Sequence, residues 1–210
     1  PLSEDIVRQH RFLQAAMSTW LETYTASLET LQRTTRSPLS LGIPLLRIFH
    51  TMVSIQVATM LSTSETCFDE FTSAFTSILA QAVEIYRKAS EIHHRSFSND
   101  GRITGFSFTI DIGTIPPLSY VALKCRVPWL RRQAIALLLA APHREGIWDG
   151  VVIAHNTQKV ITLEENGFFD HLNLEFDCRP FDPPVEKHQQ DLAQVPCLPE
   201  RSRFRHVKVI

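Results

Sequence analysis

Three stretches of the chain carry residue types able to do chemistry. His143, Glu145 and Asp149 set a histidine close to two carboxylates, the raw material of a metal site or of general acid–base catalysis. Either use requires the three side chains to converge, and Gly146 between them sets no fixed geometry. The simpler reading is a loop-to-helix junction. Glu145 would lie near the positive end of the helix that follows, with Trp148 anchoring its first turn. His93-His94-Arg95 closes a helical stretch. Adjacent helical residues point about 100° apart, so these two imidazoles chelate one ion poorly. Cations at a helix C-terminus complement its dipole, which is the plainer account. Lys124, Arg126, Arg131 and Arg132 flank Trp129, a basic cluster able to meet phosphate or an acidic partner segment. The Val127-Pro128 break separates these charges, and the default expectation is the solvated surface of a helical hairpin.

The four cysteines, Cys67, Cys125, Cys178 and Cys197, form no close pair of the kind that brings two thiolates to one zinc ion. They read as scattered free thiols in helices and tail, in keeping with a reducing, intracellular compartment. The sequence contains no His-Glu-x-x-His helix, P-loop, dinucleotide glycine fingerprint or nucleophile elbow. Gly105-Phe-Ser107-Phe-Thr109 lacks the second glycine of an elbow. No catalytic, cofactor-binding or metal-ligating residue is therefore assigned. A net charge of −1 over 210 residues is not that of a polyanion-binding protein. No apolar run approaches the roughly 20 residues that span a bilayer. The start, PLSEDIVRQHRF, is amphipathic and lacks an initiator Met, as a fragment or processed product would.

The elements that must position these residues are helices, and the expected fold is all-α. Antiparallel helix pairs are expected to form a bundle or α-solenoid-like domain over 1–175. A proline-rich tail follows over 176–210, ending in a short edge strand or an extended segment. Leu13, Met17, Trp20, Tyr24, Leu28 and Leu31 form one apolar stripe on a helix from Ser3, a plausible N-cap, to about Thr35, broken by Ser37-Pro38. A second helix, about Ile43 to Leu61, is apolar on most sides, which places it at the bundle centre. The third begins near Thr66, with Asp69 at capping-box spacing, and its phenylalanine stripe reads as core. Asn99-Asp100-Gly101 marks a turn. Helices follow over Ile115 to Cys125, Trp129 to Ala141 and Ile147 to about Glu165, the last ended by Asn166-Gly167 and carrying Trp148, Val151, Val152 and His155 on one face.

Between Ala89 and Gly150 the residue order becomes specific. It runs Gly-Phe-x-Phe (Gly105 to Phe108), Ile115-Pro116-Pro117-Leu118, Tyr120-Val121-Ala122, Lys124-Cys125-Arg126, Arg131-Arg132-x-Ala134-Ile135 and Pro142-His143-Arg144-Glu145-Gly146-Ile147-Trp148-Asp149. This order resembles the C-terminal region of fungal transcription factors whose N-terminus carries a six-cysteine binuclear zinc cluster. Val195-Pro196 and Arg203-Phe204-Arg205-His206-Val207 are similar to that family's ending. The resemblance implies a nuclear regulatory domain without catalytic residues, in some cases serving a biosynthetic gene cluster, that acts through protein partners or a small effector. The zinc and the DNA contacts it implies belong to an N-terminal cluster absent from this chain. A stand-alone helical adaptor, or a small-molecule-binding protein or enzyme, is the alternative. Convergence of His143, Glu145 and Asp149 in a deep pocket would favour the enzyme.

Overall fold

The computed structural model describes residues 2–34, 41–92, 107–109, 113–140, 143–171, 180–184 and 195–206. The fold is all-α, built from packed antiparallel helix pairs. In chain order the helices are α1 (Glu4–Thr34), α2 (Gly42–Thr59), α3 (Thr72–Ile92), α4 (Ile115–Lys124), α5 (Pro128–Ala140) and α6 (Gly150–Glu165). A 3-10 helix, Glu65–Phe71, runs directly into α3. No described helix is long and apolar enough to cross a membrane. The Ser37-Pro38 break, His93-His94-Arg95, Asn99-Asp100-Gly101, Gly105-Phe106, Pro142, Cys178 and residues 207–210 lie outside the described residues.

The core is centred on α5 rather than on α2. Ten of the thirteen α5 residues are buried, against five of eighteen in α2. Although α2 has little polar surface, it lies between α1 and α3, and Leu46 on it and Met60 just past its end face solvent. The α3 stripe is core as expected: Phe75, Ile78, Leu79 and Ala82 meet Leu118, Leu130, Leu137 and Leu138 from α4 and α5. At the N-terminus of α1 the Ser3 hydroxyl accepts from the Ile6 amide at 3.4 Å. The capping box expected at Thr66 and Asp69 does not form. Ser64 is the N-cap there, and Asp69 is engaged by Arg203 instead.

A small sheet joins the helices where a helix start was expected. Strand β1 (Ser107–Thr109) pairs in parallel with β2 (His143–Glu145), which pairs antiparallel with β3 (Trp148–Asp149). Gly146 and Ile147 form the two-residue tip, with Gly146 at φ 56° and Ile147 at 88% exposure. A glycine at the first position of such a tip provides the positive φ that matches strand twist. Hence α6 begins at Gly150, not Ile147, and Trp148 packs against the core from a strand. Val152 and His155 are exposed instead of sharing an inward face with Trp148. At the far end Asn166 adopts the left-handed conformation at φ 38° and Gly167 follows at φ 78°, closing α6 as the Asn-Gly pair requires.

Candidate functional site

The His143–Asp149 triplet separates into two helix caps. Glu145, only 2% exposed, accepts from the Gly113 amide at 2.8 Å, the Thr114 amide at 2.7 Å and the Ile115 amide at 3.1 Å. Pro116 and Pro117 contribute no N–H to the first turn of α4, and the Leu118 amide donates to Thr114 O at 3.1 Å. Every donor at this buried helix start is thus matched. Gly113 is required by the close approach, since a Cβ there would stand 2.5 Å from the Glu145 Oε1. The capped helix is α4, which precedes Glu145 in the chain, and not the α6 expected from the sequence. His143 Nε2 meets Glu145 Oε1 at 2.6 Å. Behind it, the Tyr86 hydroxyl lies 2.6 Å from the Thr114 hydroxyl, and burial pushes the phenol well above its ordinary range. Asp149 does not join them: its Oδ1 accepts from the Val151 and Val152 amides at 3.1 and 3.0 Å, capping α6. The convergence that an acid–base or metal site would need is absent from this triplet.

The basic cluster is the larger departure. It is an interior ion network, not a solvated hairpin surface: Arg131 is 0% exposed and Arg126 is 5%. Glu164 sits at its centre. Its Oε1 takes Arg126 at 3.1 Å and the Phe204 amide at 2.8 Å, while Arg131 NH2 closes on its Oε2. Glu65 binds Lys124 Nζ at 2.8 Å and Arg126 NH2 at 3.1 Å. Glu165 binds Arg132 NH2 at 2.6 Å and stands 3.5 Å from Arg131 NH1, a charge contact rather than a hydrogen bond. Arg131 Nε donates to Ala122 O at 2.8 Å, tying α5 back to α4. Burial draws the Arg131 guanidinium below its ordinary range, and the Glu164 charge opposes this. Carboxylates in the last turn of α6 oppose its dipole. Arg126, Arg131 and Arg132 offset that charge from the neighbouring hairpin.

The same network holds the C-terminal segment. Arg203 donates to both Asp69 carboxylate oxygens at 2.8 Å and to Leu198 O at 2.7 Å. Glu200, itself solvent-exposed, accepts from the Glu65 amide at 2.9 Å, the Ser64 hydroxyl at 2.8 Å and the Thr66 amide at 2.9 Å. The Glu65 amide and then the Ser64 hydroxyl hold its carboxyl below the ordinary 4.5. A depressed folded value means that this contribution is complete above 4.5 and is lost as pH falls through the folded value. Glu200→Gln is therefore expected to lower the urea midpoint at pH 7 and to make the acid decline below pH 4.5 shallower. Parallel acid declines in the two proteins would contradict this assignment.

Among the described residues no group of three or more His, Cys, Asp or Glu could hold a metal ion. Cys67, Cys125 and Cys197 are free thiols, and burial pushes the Cys125 thiol up to about 12. A cavity of about 230 Å³ lies between Asp69 and Thr72, Arg126 and Val127, and Val195 and Cys197. It is smaller than the roughly 300–1,000 Å³ of typical small-molecule sites. Sequence reasoning missed Glu65, Glu164 and Glu200 and gave Asp69, Glu165 and Arg203 no part in an ion network. The adjacent glutamates ahead of Asn166-Gly167 were a readable signal, since acidic residues at a helix C-terminus require compensating cations. Compared with protein-family models, curated proteins and solved structures, the chain matches none of them.

Proposed function

We propose that this chain is the non-catalytic regulatory domain of a fungal transcription regulator, of the kind that can serve a particular pathway or biosynthetic gene cluster. It acts through protein contacts, or through a small effector, and the DNA is read by a zinc cluster outside these 210 residues. The resemblance over Ala89 to Gly150 is what supports the family reading. The observation that carries the reading is the use to which its polar motif residues are put. Glu145 caps α4, Asp149 caps α6, and Arg126 and Arg131 neutralise Glu164 inside the fold. A motif whose charges stabilise the interior specifies a rigid framework, and regulation then falls to surfaces outside it.

The test tethers the chain to an unrelated DNA-binding domain upstream of a reporter, in a fungal nucleus. A change in transcription of several-fold relative to the DNA-binding domain alone is expected. A folded chain that leaves the reporter unchanged in every growth condition would count against the regulatory reading.

A further inference from the structure

Residues 195–206 lie on the body of the fold in the manner of a bound peptide. Among them only Leu198 and Arg203 are buried, at 1% and 7% exposure. The segment organises itself: Pro199 opens a single 3-10 turn, Glu200–Ser202, and Arg203 Nε folds back onto Leu198 O at 2.7 Å. Its bonds to the body come from side-chain ends, one amide and one carbonyl. Glu200 takes the Ser64 hydroxyl and the Glu65 and Thr66 amides. Arg203 forks onto Asp69 and reaches Glu65 O at 3.1 Å. The Phe204 amide meets Glu164 Oε1, and Lys124 Nζ donates to Arg205 O at 3.1 Å. The receiving groove is therefore built by the start of the Glu65–Phe71 helix, the end of α4 and the end of α6. The segment does not fill it. The cavity of about 230 Å³ remains between Val195, Pro196 and Cys197 on one side and Thr72 and Val127 on the other. Arg126, which also lines that cavity, keeps a buried Nε with no hydrogen-bond partner.

We infer that this groove is a recognition site for a short segment of a partner protein, and that residues 195–206 are its intramolecular occupant, which the partner segment replaces. The bonds define what is recognised: a leucine, an acid two positions later and an arginine three positions after that, as in Leu198, Glu200 and Arg203. Lysine does not serve for the arginine. Two guanidinium nitrogens hold the Asp69 carboxylate while a third binds Leu198 O, a planar fork that an ammonium lacks. Charge also favours exchange over simple release. Departure of the segment strips Arg203 from Asp69 and Arg205 from Glu65, so a replacement that brings an arginine restores what is lost. A linked segment competes at an effective concentration of about a millimolar, which masks the groove from weak partners. A partner that also fills the cavity beside Val127 gains apolar contact that the chain's own residues leave unmade. This inference deepens the action through protein contacts proposed above and rests on it only for its purpose. Binding is measured without a reporter, so either reading can fail alone.

Hydrogen exchange of the intact chain is the first test. The Glu65 and Phe204 amides, bonded across the groove from opposite sides, are expected to exchange together and at least about 100-fold faster than the Leu137 amide in α5. Exchange of both only at the Leu137 rate would mean that the groove opens only by global unfolding, and would overturn the proposal. The second test uses a fluorescent peptide of residues 195–206 carrying Cys197→Ser, read by anisotropy. It is expected to bind the Glu200→Ala, Arg203→Ala chain at least about tenfold more tightly than the unsubstituted chain. Arg203→Lys in the peptide is expected to weaken that binding at least about tenfold. A peptide that binds neither chain, binds both alike, or is indifferent to Arg203→Lys would also overturn it. The exchange measurement needs no substituted chain, so it decides the matter where the double substitution unfolds the protein.

Discussion

Glu164→Gln is expected to destabilise the chain by about 3 kcal/mol, the cost of leaving buried charge without its partner. Glutamine keeps the shape and still accepts from the Phe204 amide and from one arginine. It removes the negative charge that faces Arg126 and Arg131, both at the floor of solvent exposure. Arg131 would then retain only the 3.5 Å charge contact to Glu165 and its bond to Ala122 O. At about 3 °C per kcal/mol for a chain of this size, the thermal midpoint should fall by about 9 °C. Glu165→Gln provides the comparison, because Arg132 is 36% exposed and water replaces part of what is lost. Its cost should be about 1 kcal/mol. Equal effects for the two substitutions, measured by urea denaturation, would mean that burial does not set the strength of these pairs.

The second large effect belongs to Glu145. Glu145→Ala orphans the Gly113, Thr114 and Ile115 amides together, at a helix start where the Thr114 and Ile115 donors are buried. Each unsatisfied buried donor costs about 1–3 kcal/mol, and relaxation keeps the sum below three times that, at about 3 kcal/mol in all. Glu145→Gln restores one acceptor and should recover roughly half. The His143→Ala change should cost markedly less than Glu145→Ala, since the amide bonds remain. Were His143→Ala as severe as Glu145→Ala, the His143–Glu145 pair rather than the cap would be the important feature. Hydrogen exchange of the Thr114 and Ile115 amides reads the difference directly.

How far these features can be read from sequence depends on the range of the interaction. The helices are periodic over several turns, and the ends at Pro116-Pro117 and Asn166-Gly167 carry their own local reasons. The bounds of α4 and α5 consequently agree with the spacing to within a residue. The hairpin at Gly146-Ile147 reads as a break before a helix because the strands flanking it are three and two residues long. Two or three residues are too few for alternation to show. The Gly-Ile dipeptide is the only local sign. The ion network escapes the sequence for a different reason. Its partners are separated by 33 residues for Arg131 and Glu164 and by 61 for Arg126 and Glu65, so the sequence displays the charges without their neutralisation. The rule that arginines face water fails where carboxylates and backbone carbonyls meet them in the interior. Glu200 and Arg203 are hidden in the same way, inside a segment whose prolines suggest only irregularity.

Buried charges build the framework of this chain, and the proposed function places regulation on its surface. That division is tested most directly by reporter output from the tethered chain carrying Arg131→Met together with Glu164→Gln. The pair removes one charge of each sign, and the new side-chain amide still offers an oxygen to Arg126 and the Phe204 amide. Replacing a buried ion pair by neutral groups of similar volume often leaves a fold intact. The expected result is a cooperative unfolding transition and reporter output equal to that of the unsubstituted chain. A chain that folds normally but has lost its effect on the reporter would place the network in the functional contact itself, and would contradict the division.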